Sequence, residues 1–247
     1  KALSLFLAAA MCAGMLAGCG GGADTNDASN GDSGESTAAA FKIGGTGPLT
    51  GDAAIYGNAV KNGAQLAVDE INAEGGVQFE LKMEDDENDP EKAVSAYNAL
   101  KDWGVQLSLG SVTSKPGEAT ATENFADRIF ALTPSASAPA VTEGKDNVFQ
   151  MCFSDPNQGT ASAEYIADNQ MGTKIAIIYK NDDVYSSGIY EKFKAEAETK
   201  GLNIVSTTTF TSSSATDFSV QLGEAKAAGA DLLFLPIYYQ PASLILQ

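Results

Sequence analysis

The chain has 247 residues, of which 44% are hydrophobic, and it carries a formal net charge of -17 with no histidine. Such an acidic chain is poorly suited to bind nucleic acid, because contacts to phosphate groups need clustered lysine and arginine side chains. The absence of histidine excludes Ser-His-Asp and Cys-His catalysis, and the three cysteines are too far apart for a zinc-binding pattern.

The first elements of the chain are an apolar segment and a polar linker. The apolar run Leu3–Leu16 is too short to cross a bilayer and ends in Leu-Ala-Gly-Cys at 16–19, which resembles the bacterial lipobox. We interpret residues 1–18 as a lipoprotein signal peptide, and the alternative is an ordinary signal peptide with an incidental cysteine. We predict that lipid on Cys19 anchors the protein at the outer side of the bacterial cell membrane. Residues 19–40 then form the lipidated cysteine and a flexible tether.

From Phe41 onward, strand patterns alternate with helix patterns. A short apolar run at Phe41–Thr46 predicts a strand, and apolar residues at helical spacing over Val60–Ile71 predict the following helix. Alternating apolar and polar residues over Val77–Glu84 predict a second strand, and Asp89-Pro90 is typical of an N-cap followed by a first-turn proline. The later elements of this series are a helix through Leu100, a strand at Val105–Leu109, a helical stretch and a strand at Ile129–Leu132.

The same alternation restarts after residues 148–156, which we interpret as the separator between two series. The second series comprises helices at Ala161–Asn169, Ile189–Lys200, Phe218–Ala228 and Pro241–Gln247, and strands at Lys174–Tyr179, Ile204–Phe210 and Leu232–Pro236. Such alternation is typical of parallel sheets with right-handed crossovers. We therefore predict an α/β fold with two Rossmann-like lobes, the first over residues 41–155 and the second over residues 156–247.

Six loops are candidates for ligand binding, because ligands of open parallel sheets bind beyond the carboxyl ends of the strands. These loops are Thr46–Tyr56, Asp85–Asp89, Gly110–Ser114, Thr133–Ser137, Lys180–Tyr185 and Pro236–Tyr239. Four of them are rich in serine, threonine or tyrosine hydroxyl groups, which are suited to hydrogen-bond a small zwitterion. Helices that begin after such loops direct backbone N–H groups at a carboxylate.

Motifs for other functions are incomplete. Gly45-Thr46-Gly47 lacks the third glycine of a dinucleotide-binding loop, and no phosphate-binding loop occurs. The acidic run at 84–89 lacks the central glycine and distal glutamate of a calcium loop, so we interpret it as a solvated turn between a strand and a helix. Paired carboxylates for glycoside hydrolysis remain possible, although no pair stands out. We expect no cofactor, no metal ion and no catalysis.

Four short motifs stand out in the folded part of the chain: G-P-L-T-G at 47–51, N-G-A at 62–64, D-E-I-N-A-E-G-G at 69–76 and T-P-S-A at 133–136. Their order and spacing resemble the leucine/isoleucine/valine-binding family of transporter-linked solute-binding proteins. The resemblance implies a type I periplasmic-binding fold and a binding protein that delivers an amino acid, or a related small polar solute, to the permease subunits of an ABC transporter. The alternative is a ligand-sensing receptor module of the same fold.

The resemblance also implies three serine contacts from the first lobe. Ser114 and Ser137 fall where hydroxyl groups meet the ligand carboxylate, and Ser135 falls where a backbone group contacts the ligand. All three follow predicted strands. Next to Ser114, Lys115-Pro116 departs from the serine- and threonine-rich pattern of the family.

Three tyrosines complete the implied site. Tyr56 falls at an aromatic position beside the ligand side chain, and Tyr185 and Tyr238 match second-lobe tyrosines that close over the ligand. In the family, the acidic partner of the ligand amino group lies on a later segment of the second lobe. That segment would follow Gln247, so we expect the second lobe to be incomplete in this chain.

Overall fold

The computed structural model describes residues 39–247, and the predicted signal peptide, Cys19 and nearly all of the tether lie outside these residues. The described residues form two parallel β-sheets with helices packed against them. Within residues 39–247, none of the helices combines the length and the apolar character that are needed to cross a membrane.

The first sheet has five parallel strands in the order β2-β1-β3-β4-β5. The strands are β1 (Phe41–Gly47), β2 (Phe79–Asp85), β3 (Leu107–Ser111), β4 (Phe130–Thr133) and β5 (Val148–Gln150). Successive strands up to β4 are connected by the helices α1 (Ala54–Ala73), α2 (Pro90–Trp103) and α3 (Ser114–Asp127). Strand β5 lies inside the stretch that we interpreted as the separator between the two series, so that interpretation missed one strand.

The second sheet has three parallel strands in the order β7-β6-β8. They are β6 (Ile175–Lys180), β7 (Ile204–Phe210) and β8 (Leu232–Phe234), and the helices of this part are α4 (Asp155–Asp168), α5 (Val184–Lys200), α6 (Ser219–Ala227) and α7 (Tyr239–Ile245). Both sheets are parallel, which confirms the predicted α/β fold class. Among the described strands, β8 pairs on one side only.

Side-chain caps determine where several helices begin. The Asp89 carboxylate accepts hydrogen bonds from two backbone N–H groups in the first turn of α2, as an N-cap does. The Ser154 hydroxyl accepts a hydrogen bond from the N–H of Asn157 in the same way. Helix α4 therefore begins at Asp155, earlier than the start at Ala161 that the apolar spacing predicted.

Apolar side chains are buried on both faces of the second sheet. Ile175 and Ile177 pack with Phe193 of α5 on one face, and Ile178 packs with Phe210 on the other. This division follows from the alternation of side chains along a strand. Burying each of these side chains stabilises the fold by roughly 1.5–3 kcal/mol.

The single tryptophan of the chain lies near the amino end of β1, away from the carboxyl ends of the strands. The Lys42 ammonium group donates a hydrogen bond to the carbonyl oxygen of Trp103 at 2.7 Å and lies 5.0 Å from the centre of its ring. The Lys82 ammonium group lies 5.9 Å from the same ring. These cation–π contacts hold the indole at this edge of the first sheet.

Candidate ligand-binding site

A cavity of about 300 Å³ lies beyond the carboxyl ends of the strands, between loops of the first sheet and loops of the second. The six residues predicted to bind ligand all line its wall: Tyr56, Ser114, Ser135, Ser137, Tyr185 and Tyr238. The structure thus brings together residues that are up to 182 positions apart in sequence (238 − 56). Their contact with a ligand remains a prediction.

The Ser114 hydroxyl is already used as an acceptor by the protein. Ser114 is the first residue of α3 and is buried, and its Oγ accepts hydrogen bonds from the N–H groups of Ser137 at 3.1 Å and Ala138 at 3.2 Å. With both lone pairs engaged, the hydroxyl is left only as a donor. It also lies at the positive end of the α3 dipole, which favours a negative partner. Ser114 is therefore suited to a carboxylate.

The loop after β4 is held by its own hydroxyl groups. The Thr133 hydroxyl donates to the carbonyl oxygen of Ser111 at 2.7 Å and accepts from the N–H of Ala136 at 3.0 Å. The Ser135 hydroxyl donates to the carbonyl oxygen of Val112 at 2.6 Å. Because the hydroxyl proton is engaged there, the backbone of Ser135 is the part left to meet a ligand, which is the contact that the family resemblance assigns to it.

Ser137 faces a buried acid at the base of the cavity. Ser137 is 4% exposed, and its hydroxyl lies beside the carboxyl group of Asp155, which is 0% exposed. The nearby Ser137 hydroxyl lowers the pKa of Asp155, although the geometry is not that of a full hydrogen bond. Neither oxygen of the Asp155 carboxyl group has a hydrogen-bond partner among the described residues. Burial dominates and, with the nearby charges of Asp183 and Glu118, raises the pKa of Asp155 to about 6.

Three tyrosines, the tyrosine cluster (Tyr56, Tyr185 and Tyr238), close one side of the cavity. The ring centres of Tyr185 and Tyr238 are stacked 4.8 Å apart, and those of Tyr56 and Tyr238 are 5.6 Å apart. The Tyr56 hydroxyl accepts a hydrogen bond from the N–H of Tyr239 at 3.1 Å, which links α1 to the first residue of α7. Burial raises the pKa of Tyr185 and Tyr238, so both phenols stay neutral at physiological pH.

Sequence reasoning missed five residues of the cavity wall. They are Val112, Thr113, Cys152, Phe153 and Gln158. Among them, Cys152 is half-buried, and its thiol contacts the carbonyl oxygen of Ala136 at 3.6 Å. Three of the five follow β5, so the short apolar pair Val148-Phe149 was the signal that would have directed attention to them.

The cavity wall contains no lysine or arginine among residues 39–247. Lys115, the departure from the family pattern, lines a neighbouring polar cavity of about 390 Å³ together with Lys180, and the two cavities share Tyr238. A ligand carboxylate in the 300 Å³ cavity would therefore be bound by neutral hydrogen-bond donors and by the amino terminus of α3. The acidic groups around the cavity would favour a positively charged group on the ligand.

The acidic run at 84–89 includes the turn between β2 and α2 that we expected, but one of its residues is not solvated. Asp86 is fully buried, and its carboxylate accepts hydrogen bonds from the N–H of Asn88 and the hydroxyl of Ser111. The Asp85 carboxylate accepts from the N–H of Leu49 at 2.8 Å and so holds the loop that precedes α1. Within residues 39–247, no group of three or more acidic or thiol side chains is placed to hold a metal ion.

The chain and its structure are similar to those of bacterial amino-acid-binding proteins. The sequence is 32% identical over 207 residues to Leu/Ile/Val-binding protein homolog 3 of Brucella melitensis, covering 82% of this chain and 56% of that protein. The branched-chain amino acid binding protein LivJ of Streptococcus pneumoniae, solved with isoleucine, gives a TM-score of 0.78 at 31% identity, covering 84% of this chain and 60% of LivJ. The leucine-binding protein LivK of Thermotoga maritima gives a TM-score of 0.77 at 28% identity, covering 83% of this chain and 58% of LivK.

The sequence profile of the family described as periplasmic binding protein matches residues 40–246. The match includes both sheets and every residue of the cavity wall. The chain spans little more than half the length of the relatives that it matches. By this match the chain belongs to the periplasmic binding protein family, whose name implies a location outside the cytoplasm.

Proposed function

We propose that the protein is the solute-binding component of an ABC transporter and captures an amino acid of branched-chain type, or a related small polar solute. Residues 41–155 and 156–247 would belong to the two lobes that enclose the ligand. The donor-only hydroxyl of Ser114 at the start of α3 carries the proposal, because it provides a carboxylate site without a cationic side chain. The names of the relatives, which refer to leucine, isoleucine and valine, support the amino-acid class.

The binding role would involve no chemistry on the ligand. The relatives are named as binding proteins, and the chain has no histidine to act as a general base. The captured solute would pass to permease subunits of the transporter. The ring stack of Tyr185 and Tyr238 would then cover the ligand side chain during transfer.

Calorimetric titration of amino acids into the protein made from the complete gene tests this proposal. We expect leucine, isoleucine or valine to bind, and Ser114→Ala to lose roughly 1.5–3 kcal/mol of binding free energy, since a hydrogen bond to a charged group is removed. The control is Ser95→Ala, which changes an exposed helical serine that bonds only the Glu91 carbonyl oxygen. If Ser114→Ala binds as tightly as Ser95→Ala, the carboxylate site lies elsewhere.

We also propose that Cys19 is lipidated and holds the domain at the outer face of the cell membrane. The support is the sequence Leu-Ala-Gly-Cys after an apolar run, followed by a polar linker that is suited to act as a tether. In detergent phase separation, the protein made in its native host should enter the detergent phase, and Cys19→Ser should stay in the aqueous phase. Cys152→Ser is the matched control and should behave as wild type. If wild type stays aqueous, the anchor is absent.

A further inference from the structure

The polar cavity, the neighbouring space of about 390 Å³ that Lys115 and Lys180 line, adjoins the candidate ligand cavity. Its wall includes residues that end or follow β2, β6 and β7, so it too lies beyond the carboxyl ends of strands. Tyr238 lines both cavities, and Lys115 of the polar cavity directly follows Ser114 of the ligand cavity. A solute held at Ser114 is therefore bound next to the wall of the polar cavity.

The ammonium group of Lys180 is poorly compensated for a side chain that is only 18% exposed. Among residues 39–247, it lies 3.7 Å from a carboxylate oxygen of Asp182 and 3.9 Å from one of Asp183. Both distances are too long for a hydrogen bond. An ammonium group has three N–H donors, so Lys180 keeps donors available for an acceptor in the polar cavity.

The two carboxylates near Lys180 are engaged with other groups. The Asp182 carboxylate accepts hydrogen bonds from the N–H and the hydroxyl of Ser212, at 2.9 Å and 3.0 Å. The Asp183 carboxylate is the N-cap of α5 and accepts from the N–H groups of Tyr185 at 2.9 Å and Ser186 at 3.3 Å. These contacts hold both acids on the protein backbone, so neither is free to approach Lys180 more closely.

Lys115 brings a second positive charge to the polar cavity from the other sheet. It is the second residue of α3, whereas Lys180 is the last residue of β6. Within the described part of the chain, the Lys115 side chain forms neither an ion pair nor a hydrogen bond, and it is exposed. Two ammonium groups in the wall of one cavity repel each other, and an anion bound between them removes that repulsion.

The carboxylates in the wall of the polar cavity have partners of their own. They are Asp52, Glu87, Asp89 and Asp183. The Glu87 carboxylate pairs with the Lys92 ammonium at 2.6 Å, Asp89 is the N-cap of α2, and Asp183 is the N-cap of α5. Asp52 is exposed, so solvent screens its charge. The two lysines are thus the charged groups of this wall that are best suited to take a ligand group.

We propose that Lys115 and Lys180 bind an anionic group at the end of the ligand side chain, so that the site takes amino acids with a second carboxylate, such as glutamate and its longer homologues. The inference rests on the proposed function and extends its ligand class beyond the branched-chain amino acids that the relatives' names mention. Ser114 holds the α-carboxylate in the ligand cavity, and the side chain passes Tyr238 into the polar cavity. There its carboxylate bridges a lysine of each sheet.

Pairs of ligands that differ only in side-chain charge test this assignment. Calorimetry on the protein from the complete gene compares L-glutamate with L-glutamine, and L-2-aminoadipate with its side-chain amide. We expect at least one acid to bind roughly tenfold more tightly than its amide, or better, since hydrogen bonds to a charged group are gained. This preference should fall as sodium chloride is raised from about 0.05 M to about 0.5 M, because salt screens charge pairs.

Variants of the two lysines separate ligand recognition from a structural role. Lys115→Gln and Lys180→Gln should each lower the preference for the acid over its amide by roughly tenfold, and Lys180→Arg should retain it. A lysine that only supports the fold would weaken both ligands equally and leave the preference unchanged. Lys61→Gln is the matched control, since it changes an exposed lysine of α1 outside both cavities, and it should keep the preference.

The outcomes distinguish this inference from the function on which it rests. Wild type that binds leucine, isoleucine or valine but prefers neither acid over its amide overturns the inference and leaves the proposed function intact. A preference that persists in both glutamine variants also overturns it, because the cation then lies elsewhere. Leucine binding that strengthens with added phosphate, without any preference for acids, assigns the polar cavity to an inorganic anion instead. Wild type that binds no amino acid overturns both proposals. The salt dependence of wild type and the exposed Lys115 variant decide the matter even if a Lys180 variant fails to fold.

Discussion

Ser114 and Ser135 show how the surrounding backbone determines what a hydroxyl group can do. The Ser114 hydroxyl accepts hydrogen bonds from two backbone N–H groups, so its own proton remains available to donate. The Ser135 hydroxyl already donates its proton to the Val112 carbonyl oxygen. Both serines could be predicted from sequence, because each follows a predicted strand and matches a contact position that the family resemblance implies. Which of them keeps a free donor could not be predicted, since it depends on contacts between loops that are 23 residues apart.

Replacing Asp155 should change how the stability of the ligand-free protein depends on pH. Its folded pKa of about 6 lies above the ordinary value of 3.8, so folding keeps a proton that the unfolded chain releases. The raised pKa lowers the free energy of unfolding by nothing below about pH 3.8 and by increasing amounts as pH rises. Above about pH 6 the loss is complete, with an upper bound of about 3 kcal/mol. Asp155→Asn should therefore melt higher than wild type, by a margin that widens from acid to neutral pH. A difference in melting temperature between Asp155→Asn and wild type that stays constant with pH would contradict this prediction.

The helices and strands differ in how clearly the sequence marks them. Strand β7 has the predicted bounds, because β-branched and aromatic residues, which favour strands, occupy six of its seven positions. Strand β5 has only three residues, too few to show a period, and its pairing with β4 is a long-range contact. Helix α4 begins with Asp155-Pro156-Asn157, so the apolar spacing that indicates a helix appears only after its first turn.

The contact between α4 and α5 should be sensitive to a single methyl group. A Cβ at Gly159 would lie 2.4 Å from the carbonyl oxygen of Ile189 and 2.8 Å from the nitrogen of Phe193, so the helices would have to separate. We expect Gly159→Ala to lower the free energy of unfolding by about 1–3 kcal/mol in urea denaturation.

Gly63→Ala is the control for this substitution. Gly63 is exposed on α1 and has nothing within 4 Å of an added Cβ, so alanine should stabilise the protein by about 0.5–1 kcal/mol through its higher helix propensity. Opposite signs for the two variants identify the helix contact as the cause. If both glycines tolerate alanine equally, the close approach of α4 and α5 is not rigid.

For the molecule as a whole, apolar surface is exposed around the second sheet. Phe153 is 62% exposed and Tyr165 61% exposed, and an apolar groove of about 560 Å³ runs between α4 and Phe234 of β8. Strand β8 also has a free edge among the described strands. Exposed apolar patches and free strand edges favour association between chains.

We therefore expect residues 39–247, produced alone, to bind the hydrophobic dye ANS and to aggregate. Light scattering and dye fluorescence check this. A monodisperse protein that binds no dye would show that the exposed apolar surface does not drive association.

The position of Trp103 determines what optical spectroscopy can report about this chain. The indole is held by two lysine ammonium groups near the amino end of the first sheet, whereas the cavity lies beyond the carboxyl ends of the strands. We therefore expect the fluorescence emission of Trp103 to change when the first sheet melts and to stay constant when a ligand enters the cavity. We expect a ligand in this cavity to change the near-ultraviolet absorbance of tyrosine instead, because three of the eight tyrosines line the cavity wall.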